Sequence, residues 1–244
     1  MADYKILEWD SDFFGFTVAR VVPARLDHDR LGVCLARMKQ SGVRLAYWAS
    51  DPADHASQQS AGRHDGFLAD RKVTYAADAG RILAAIPAAI GDSNPAVEEY
   101  RGSEVTPELE RLSLQAGVFS RFKVDPRIPA GKFVELYKIW IRSSVQRENA
   151  ELVYVVRHQG AIAGMVTVGE KNGRADIGLI AVDDALRGKG AGTALVHAAR
   201  DWGVGRGFDQ AQVVTQGDNA PACRFYEKCG YRVDLVENIY HFWI

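Results

Sequence analysis

Two spacings of apolar residues alternate along the first 90 positions of the chain. Short apolar or alternating runs are typical of strands, and apolar residues three or four positions apart are typical of a helix that buries one face. In chain order, these patterns predict a strand over Phe16–Val22, a helix over Asp29–Gln40, a strand over Leu45–Ala49, a helix over Ala53–Arg63 and a strand over Phe67–Ala76. We interpret this β-α-β-α-β order as an accessory α/β half-domain over residues 1–90, with structural support as its role.

Prolines, glycines and small polar residues then interrupt the pattern. They predict a connector over residues 80–96, and Arg81–Ile86 before it is expected to be helical. The second unit, residues 97–244, is expected to open with a strand over Glu99–Ser103. A helix should follow from Thr106, because a proline and acidic residues directly after a threonine are typical of a capped helix start.

The rest of the second unit alternates between the two spacings again. An irregular stretch with two prolines, Gly117–Gly131, precedes apolar residues at helical spacing, which predict a helix over Phe133–Val145. The remaining elements are strands at Leu152–Arg157, Ala161–Val168 and Arg174–Val182, a helix from Thr193, a strand at Gln210–Thr215, a helix at Asn219–Cys229 and closing strands at Tyr231–Val236 and Ile239–Trp243. Lys171-Asn-Gly173 is typical of a tight hairpin turn, so the fold class is expected to be α/β, or α+β, with a mixed sheet.

Composition and charge narrow the function classes. The 244 residues are 47% apolar, enough for a packed core, and the net charge of −1 gives no long-range attraction to nucleic acid or a membrane surface. No apolar run reaches the roughly 18 residues of a membrane-spanning helix, and the N-terminal segment lacks the regions of a secretory signal. Cys34, Cys223 and Cys229 are not at metal-ligand spacing, so we expect no metal and reduced thiols in a cytoplasmic protein.

One stretch combines a strand, a glycine-rich turn and a helix start. The predicted strand ends at Val182, Arg187-Gly-Lys-Gly190-Ala-Gly192 follows, and a helix begins at Thr193. The first amides of a helix have no internal partners, and glycines let the backbone approach a bound anion closely. Arg187 and Lys189 add positive charge, so the stretch indicates a phosphate-binding loop; an ordinary strand–helix turn is the alternative.

The glycine spacing excludes two common phosphate motifs. No serine or threonine follows a Gly-Lys pair as a P-loop requires, and Gly192 comes one position too early for the dinucleotide-binding pattern. Instead, Arg187-x-x-Gly190-x-Gly192 after Leu179-x-x-Val182 resembles the acetyl-CoA segment of the GNAT N-acetyltransferases. A second segment, Asn219 to Tyr231, resembles the other signature of that family, N-x-x-A-x-x-x-Y-x-x-x-G-[FY].

The resemblance implies acetyl-CoA as co-substrate and gives roles to individual residues. The residues implied to contact acetyl-CoA are Ile180, Val182, Arg187, Gly188, Lys189, Gly190, Gly192, Thr193, Asn219 and Arg224. A backbone amide near Ile180 or Val182 suits polarisation of the thioester carbonyl. Tyr226 is implied as the acid that protonates the departing thiolate; the alternative for Tyr226 is an aromatic residue packed under the sheet.

The general base is left open by the sequence. Asp176 and Glu170 are candidates, although each is also explained as a solvated turn or edge charge. His197 and His241 are weaker candidates, because a single histidine on a helix or strand is usually structural.

Further motifs outside the two signatures narrow the resemblance. Trp9-Asp-Ser-Asp-Phe13-Phe14-Gly15, Phe119-Ser-Arg-Phe122 and Trp140-Ile141 are similar to segments of the TDP-fucosamine acetyltransferase group. That group implies a nucleotide-linked amino sugar as acceptor, the amine of a dTDP-4-amino-4,6-dideoxyhexose. The residues implied to contact it are Phe14, Phe119, Arg121 and Phe122, and a homodimer is left open.

Three other functions stay open. The chain could acetylate another amine, such as an aminoglycoside, a small amine or a protein N-terminus. It could bind acetyl-CoA without catalysis, as a sensor or partner module. If the glycine loop is misread, it could be a nucleotide-binding scaffold without acyl chemistry.

Overall fold

A computed structural model of the protein describes residues 3–78 and 95–244. Most of the predicted connector, including the helix expected over Arg81–Ile86, lies outside the described residues. The division into units at 1–90 and 97–244 stays a prediction. Among the described residues, no helix is both long and apolar enough to cross a membrane.

Ten strands in the described part of the chain form one mixed sheet. Their bounds are β1 Tyr4–Ile6, β2 Val18–Val21, β3 Leu45–Ser50, β4 Phe67–Asp78, β5 Val97–Glu99, β6 Leu152–His158, β7 Ala161–Lys171, β8 Arg174–Val182, β9 Gln210–Gln216 and β10 Arg232–Trp243. The order across the sheet is β1-β2-β3-β10-β4-β9-β8-β7-β6-β5. The β2–β3 and β8–β9 pairs are parallel and the other pairs are antiparallel.

Helices lie between most of these strands in the chain. Their bounds are α1 Glu8–Phe14, α2 His28–Gln40, α3 His55–Arg63, α4 Pro107–Ala116, α5 Arg121–Val124, α6 Lys132–Val145, α7 Ala191–Gly205 and α8 Ala220–Lys228, with a 3₁₀ turn at Asp184–Leu186. The predicted cap of α4 is confirmed, because the Thr106 hydroxyl accepts from the Leu109 amide at 3.4 Å. The predicted Lys171-Asn-Gly173 turn is confirmed too, with positive φ at Asn172 and Gly173.

The predictions at the start of each unit need correction. The sequence patterns missed β1 and α1, which are short and depend on packing: Phe14 at the end of α1 is 7% exposed in a cluster of buried apolar residues. The strand expected over Glu99–Ser103 is wrong in position, since β5 covers Val97–Glu99. After β5 the chain turns away, and the Tyr100 hydroxyl donates to the Glu104 carbonyl.

The two predicted closing strands are one strand, β10. The polar pair Glu237 and Asn238 suggested a break, but both continue the ladder. Glu237 accepts from Lys72 Nζ at 2.7 Å across the β4–β10 pair, and Asn238 is buried between β3 and β4. Because β10 inserts between β3 and β4, the last strand of the chain joins the N-terminal strands to the rest of the sheet.

Helices cover both faces of this sheet and bury its core. α7 and α8 contribute Leu195, Val196 and Tyr226 to a cluster with apolar residues of β4, β8 and β9. On the other face, α4 and α6 contribute Leu109 and Ile141 to a cluster with β6, β7 and β8. The helices leave the middle of the sheet accessible near β8 and β9, where the predicted motifs meet.

Candidate active site

Strands β8 and β9 begin as parallel neighbours and then separate. Their pairing covers three positions, from Ala175 to Ile177 on β8, although β8 continues to Val182 and β9 continues to Gln216. Among the described strands, the end of β8 is therefore paired with β7 alone. A gap opens between two strands at the centre of the sheet.

The end of β8 directs some of its peptide groups toward this gap. The Asp183 amide donates to the carbonyl of Ala163 in β7 at 2.7 Å. Because hydrogen-bonded and non-hydrogen-bonded positions alternate in an antiparallel ladder, the peptide groups of Ile180 and Val182 point away from β7. In agreement, the Val182 carbonyl accepts from Gln115 Nε2 at 2.8 Å on that side. The amides of Ile180 and Val182 are therefore placed to donate to a molecule in the gap.

A β-bulge lies where the strands separate. The register of β7 against β8 shifts between Val166 and Val168, and Thr167 Oγ1 accepts from the Leu179 amide at 2.8 Å. The bulge brings the side chain of Leu179 into the cluster under α4 and α6, whereas Ile180 packs on the opposite face. A Cβ at Gly178 would lie 2.8 Å from Thr167 Oγ1, so this position of the bulge requires glycine.

The glycine loop after β8 leaves open space above the start of α7. Gly188 and Gly190 have φ of 72° and 82°, and a Cβ at Gly188 would meet none of the described residues within 4 Å. The Ala194 amide donates to the Gly190 carbonyl as the first intrahelical bond, so the amides of residues 191–193 have no partner inside the helix. These amides and the room around them fit an anion such as a diphosphate.

The three basic residues implied to contact acetyl-CoA are either paired within the chain or exposed on the surface. Arg187 Nη1 contacts Asp184 Oδ1 at 2.6 Å, and Arg187 Nε donates to the Val182 carbonyl at 3.3 Å, so its charge is already balanced. Lys189 and Arg224 are exposed and line neither cavity described below. The backbone amides are therefore the main groups that this loop offers to an anion.

Two cavities meet at the gap between β8 and β9. The loop cavity, about 760 Å³, extends over the glycine loop, and the sheet cavity, about 200 Å³, lies on the sheet beside α5 and α6. Ala116, Ile180 and Asn219 line both. The predicted residues that line the loop cavity are Phe119, Ile180, Val182, Arg187, Gly188, Gly190, Gly192, Thr193 and Asn219. Those that line the sheet cavity are Arg121, Phe122, Ile180, Asn219 and Tyr226.

The predicted aromatic contacts fall in three different places. Phe122 lines the sheet cavity, whereas Phe119 lines the loop cavity. Phe14 lines neither cavity; it is buried with its ring 6.2 Å from that of Phe122, so it supports the wall from behind.

Tyr226 reaches the gap from α8. The start of this helix is fixed by Asn219, whose Oδ1 accepts from the Ala222 amide at 3.3 Å. The Tyr226 ring packs against Tyr75 and Tyr231 at 5.9 and 6.1 Å between centroids, and the residue is 4% exposed. Burial raises the pKa of Tyr226 above its usual range, so the phenol carries its proton at neutral pH. A buried core tyrosine and a proton donor are therefore both compatible with this residue.

Arg121 lies in a rigid setting at the sheet cavity. Its guanidinium carbon is 3.9 Å from the Tyr47 ring centroid and 4.4 Å from that of Phe122. Among the described residues, none offers Arg121 a carboxylate within 4.0 Å. A planar cation held between two rings, with no ion pair to a described residue, is suited to an anionic group of a ligand.

A buried pair behind Arg121 fixes its orientation. Arg121 Nη1 lies 3.4 Å from His241 Nε2, and arginine can only donate, so this nitrogen accepts. His241 Nδ1 then carries the proton and donates to Asp125 Oδ2 at 2.8 Å, which also accepts from Trp243 Nε1. Burial lowers the pKa of His241 to about 4, which keeps it neutral. Burial opposes ionisation of Asp125, but these hydrogen bonds outweigh it and hold its pKa well below the usual range.

The structure places the four candidate bases differently. Asp176 lines the sheet cavity, burial raises its pKa, and its Oδ1 accepts from Gln212 Nε2 at 2.8 Å. Glu170 is exposed and accepts the Gly173 amide in the hairpin. His197 lies on α7 and lines neither cavity, and His241 serves Arg121 as described.

Sequence reasoning missed Asp70. It lies on β4 in a strand pattern that gave no reason to single it out, and it lines the sheet cavity. Its Oδ1 is buried and accepts no hydrogen bond from the described residues. Burial raises the pKa of Asp70 to about 7, although the charge of Arg121 opposes the shift. No local motif marks this residue, because the cavity forms from strands distant in sequence.

Comparison with known proteins identifies the family. Residues 118–231 match the model of the acetyltransferase (GNAT) family. The chain contains a GNAT acetyltransferase domain. The separated strands β8 and β9, the glycine loop and α8 lie within the matched residues of this domain, and Asp70 lies outside them.

Relatives of the GNAT domain extend the comparison to the whole chain. A dTDP-fucosamine acetyltransferase of Escherichia coli O6:H1 is 27% identical over 239 residues, 96% of this chain and 95% of that protein. A streptothricin acetyltransferase of Escherichia coli is 38% identical over 66 residues, 27% of this chain and 38% of that protein. The predicted enzyme class and co-substrate are confirmed at the level of this domain, which belongs to the GNAT acetyltransferases that use acetyl-CoA.

Solved structures share the GNAT fold at low sequence identity. A GCN5-related N-acetyltransferase from Sphaerobacter thermophilus has a TM-score of 0.58 at 16% identity and covers 98% of this chain and 75% of its own. A tandem GNAT protein from the clavulanic acid biosynthesis pathway has a TM-score of 0.58 at 16% identity, with 92% and 74% covered. These likenesses concern the fold alone, and the predicted mixed α/β fold is confirmed.

Proposed function

We propose that the protein transfers an acetyl group from acetyl-CoA to the amine of a nucleotide-linked amino sugar, a dTDP-4-amino-4,6-dideoxyhexose. The observation that carries this proposal is the similarity to a dTDP-fucosamine acetyltransferase over nearly the full length of both chains. That similarity includes the N-terminal strands, which contribute Asp70 and Tyr47 to the sheet cavity and its wall.

The arrangement of the two cavities supports this direction of transfer. In the proposal, acetyl-CoA binds in the loop cavity, with its diphosphate on the amides at the start of α7 and its pantetheine arm along β8. The acceptor binds in the sheet cavity, and Arg121 binds an anionic group such as the sugar-linked diphosphate. Ala116, Ile180 and Asn219 then surround the point where amine and thioester meet.

The chain's own groups account for two parts of the reaction. The amide of Ile180 or Val182 donates to the carbonyl oxygen as charge develops on it, which lowers the barrier. Tyr226 donates its phenolic proton to the departing sulfur, since burial keeps the phenol protonated. The roles of these residues, like those of the loop and of the predicted acceptor contacts, are part of the proposal.

An acceptor screen tests the substrate. Purified protein is incubated with acetyl-CoA and either dTDP-4-amino-4,6-dideoxygalactose, a UDP-linked amino sugar, an aminoglycoside, streptothricin or a peptide N-terminus, and free thiol is measured. The proposal expects kcat/KM to be highest for the dTDP sugar. A higher kcat/KM for streptothricin or a peptide would contradict the proposed acceptor and identify another one. Acetyl-CoA binding without turnover of any amine would favour a catalytically silent module.

A further inference from the structure

Asp70 is the carboxylate in the sheet cavity whose bonding is incomplete within the described chain. On β4, the pairs with β9 cover Lys72–Asp78, so Asp70 lies beyond the end of that ladder. At this position Asp70 pairs with Ile239 of β10 on the other side. The Gly217 amide closes that end through a bond to the Arg71 carbonyl. Asp70 Oδ1 is buried there without a hydrogen bond from the described residues.

The other carboxylate that lines the sheet cavity, that of Asp176, does have a hydrogen-bond donor. Asp176 already accepts from Gln212 Nε2 at 2.8 Å, so one of its oxygens has a fixed protein partner. Asp70 and Tyr226 line the sheet cavity from two different elements, β4 and α8. This places a free carboxylate and a phenol on the walls of one small space.

The charged groups that face Asp70 come from several elements. Burial raises its pKa most; Arg121 on α5 and Lys72 on β4 lower it, and Asp218 after β9 raises it. Lys72 is itself paired with Glu237 of β10 at 2.7 Å, and Tyr137 of α6 also faces this carboxylate. These opposing effects leave Asp70 with a pKa of about 7. At neutral pH a carboxylate with this pKa is partly ionised and can accept and retain a proton, as a general base must.

We propose that Asp70 is the general base of the transfer and takes a proton from the acceptor amine, directly or through one water. This inference rests on the proposed function, because it assigns the base of that same reaction. The neutral amine nitrogen forms a bond to the carbonyl carbon while its proton passes to the Asp70 carboxylate. The carbon–sulfur bond breaks, its electron pair leaves with sulfur, and sulfur takes the proton of Tyr226. Transfer of the proton from Asp70 through water to the phenolate restores both residues.

A pH profile separates this role from a structural one. The kcat/KM for dTDP-4-amino-4,6-dideoxygalactose, or for the amine turned over best, is measured from pH 5.5 to 9 for wild type and for Asp70→Asn, Asp70→Glu and Asp176→Asn. Wild type should rise through an apparent pKa near 7, and Asp70→Asn should lose that rise and roughly 10²-fold in rate at pH 7. Asp70→Glu should regain part of both. The amine's own ionisation appears in every variant and does not affect the comparison.

The outcomes also separate this inference from the proposed function. Turnover of the dTDP sugar with an unchanged profile in Asp70→Asn, or loss of the rise in Asp176→Asn instead, overturns the role of Asp70 alone. Absence of turnover in wild type with any amine overturns the proposed function. In that case a carboxyl ¹³C titration still decides on Asp70: a resonance with pKa near 7 that is missing in Asp70→Asn supports the assignment, and a value near 3.8 overturns it.

Discussion

At the scale of single residues, burial alone does not reveal the role of Tyr226. The same rings that enclose it, Tyr75 and Tyr231, would enclose a core tyrosine. Its place on the wall of the sheet cavity distinguishes it from Tyr231, which does not line that cavity and whose buried hydroxyl has no hydrogen-bond partner among the described residues. Two tyrosines in contact thus offer a matched test.

Tyr226→Phe should lower kcat by roughly 10²–10⁴ and leave the KM for acetyl-CoA nearly unchanged, since the proton is needed only as the thiolate departs. Tyr231→Phe removes a hydroxyl from the same cluster and should keep full turnover. Steady-state kinetics of both variants, with folding checked by circular dichroism, make the comparison. Equal kcat in the two variants would assign Tyr226 to the core.

Arg121 is a second residue whose proposed role rests more on its surroundings in the fold than on a sequence motif. Arg121→Lys keeps the charge but loses the planar contact with the rings of Tyr47 and Phe122 and the fork of donors. We expect the acceptor KM to rise roughly tenfold, the loss of one charge-assisted contact, with the KM for acetyl-CoA unchanged. Arg44→Lys is the control, because Arg44 also lies over a ring, that of Phe16, and lines neither cavity. Parallel changes in both variants would make Arg121 an ordinary surface charge.

At the scale of elements, the site is built from the ends of secondary structure. β8 supplies peptide groups because it leaves β9 after Ile177, and α7 supplies amides because its first turn has no internal acceptors. Gly190 joins the two as the residue before α7, with φ 82°. Gly160 has φ 85° in the β6–β7 hairpin and lines neither cavity, so it has the same backbone requirement without the proposed ligand.

Gly190→Ala and Gly160→Ala should each destabilise the fold by about 1 kcal/mol, because a Cβ is disfavoured in the left-handed region. Gly190→Ala should in addition weaken acetyl-CoA binding by at least about tenfold, since the methyl group occupies space over the loop. Thermal denaturation and isothermal titration calorimetry measure the two effects. Unchanged affinity in a folded Gly190→Ala variant would contradict the phosphate-loop assignment.

At the scale of the whole molecule, β10 connects the two parts of the chain. It pairs with β3 and β4, and it carries His241 and Trp243, which both donate to Asp125 in the loop after α5. The wall that holds Arg121 is therefore formed only when the last strand has inserted. Loss of this buried pair should affect stability and acceptor binding together.

Acidification should weaken the fold through His241. The ordinary pKa of 6.5 applies in the unfolded chain and about 4 in the folded one, so the unfolded chain binds more protons between these values. The free energy of unfolding therefore falls as pH drops from 6.5 to 4, by up to about 3 kcal/mol. The lowered pKa of Asp125 adds a loss at still lower pH, below its ordinary 3.8. Urea denaturation between pH 6.5 and 4 should show a smaller decrease in the free energy of unfolding for His241→Gln than for wild type. Equal decreases in the two proteins would contradict this account.

The sequence by itself determined the features that depend on neighbours in the chain. The helix caps at Thr106 and Asn219, the hairpin turn at Asn172 and the glycine loop all follow from local geometry, because a cap or turn is completed within a few residues. The periodicity of apolar residues also predicted most strands and helices. It failed at β1 and α1, at the position of β5 and within β10, where packing and cross-strand pairs decide.

Only the tertiary structure decided how these elements make a site. The separation of β8 from β9 depends on where their pairing stops, and the sheet cavity depends on which strands become neighbours. Asp70 and Tyr226 are far apart in the chain and share a cavity because β4 lies beside β9. The environment that raises the pKa of Asp70 does not exist until those long-range contacts form, because desolvation is a property of the folded surroundings and not of the local sequence.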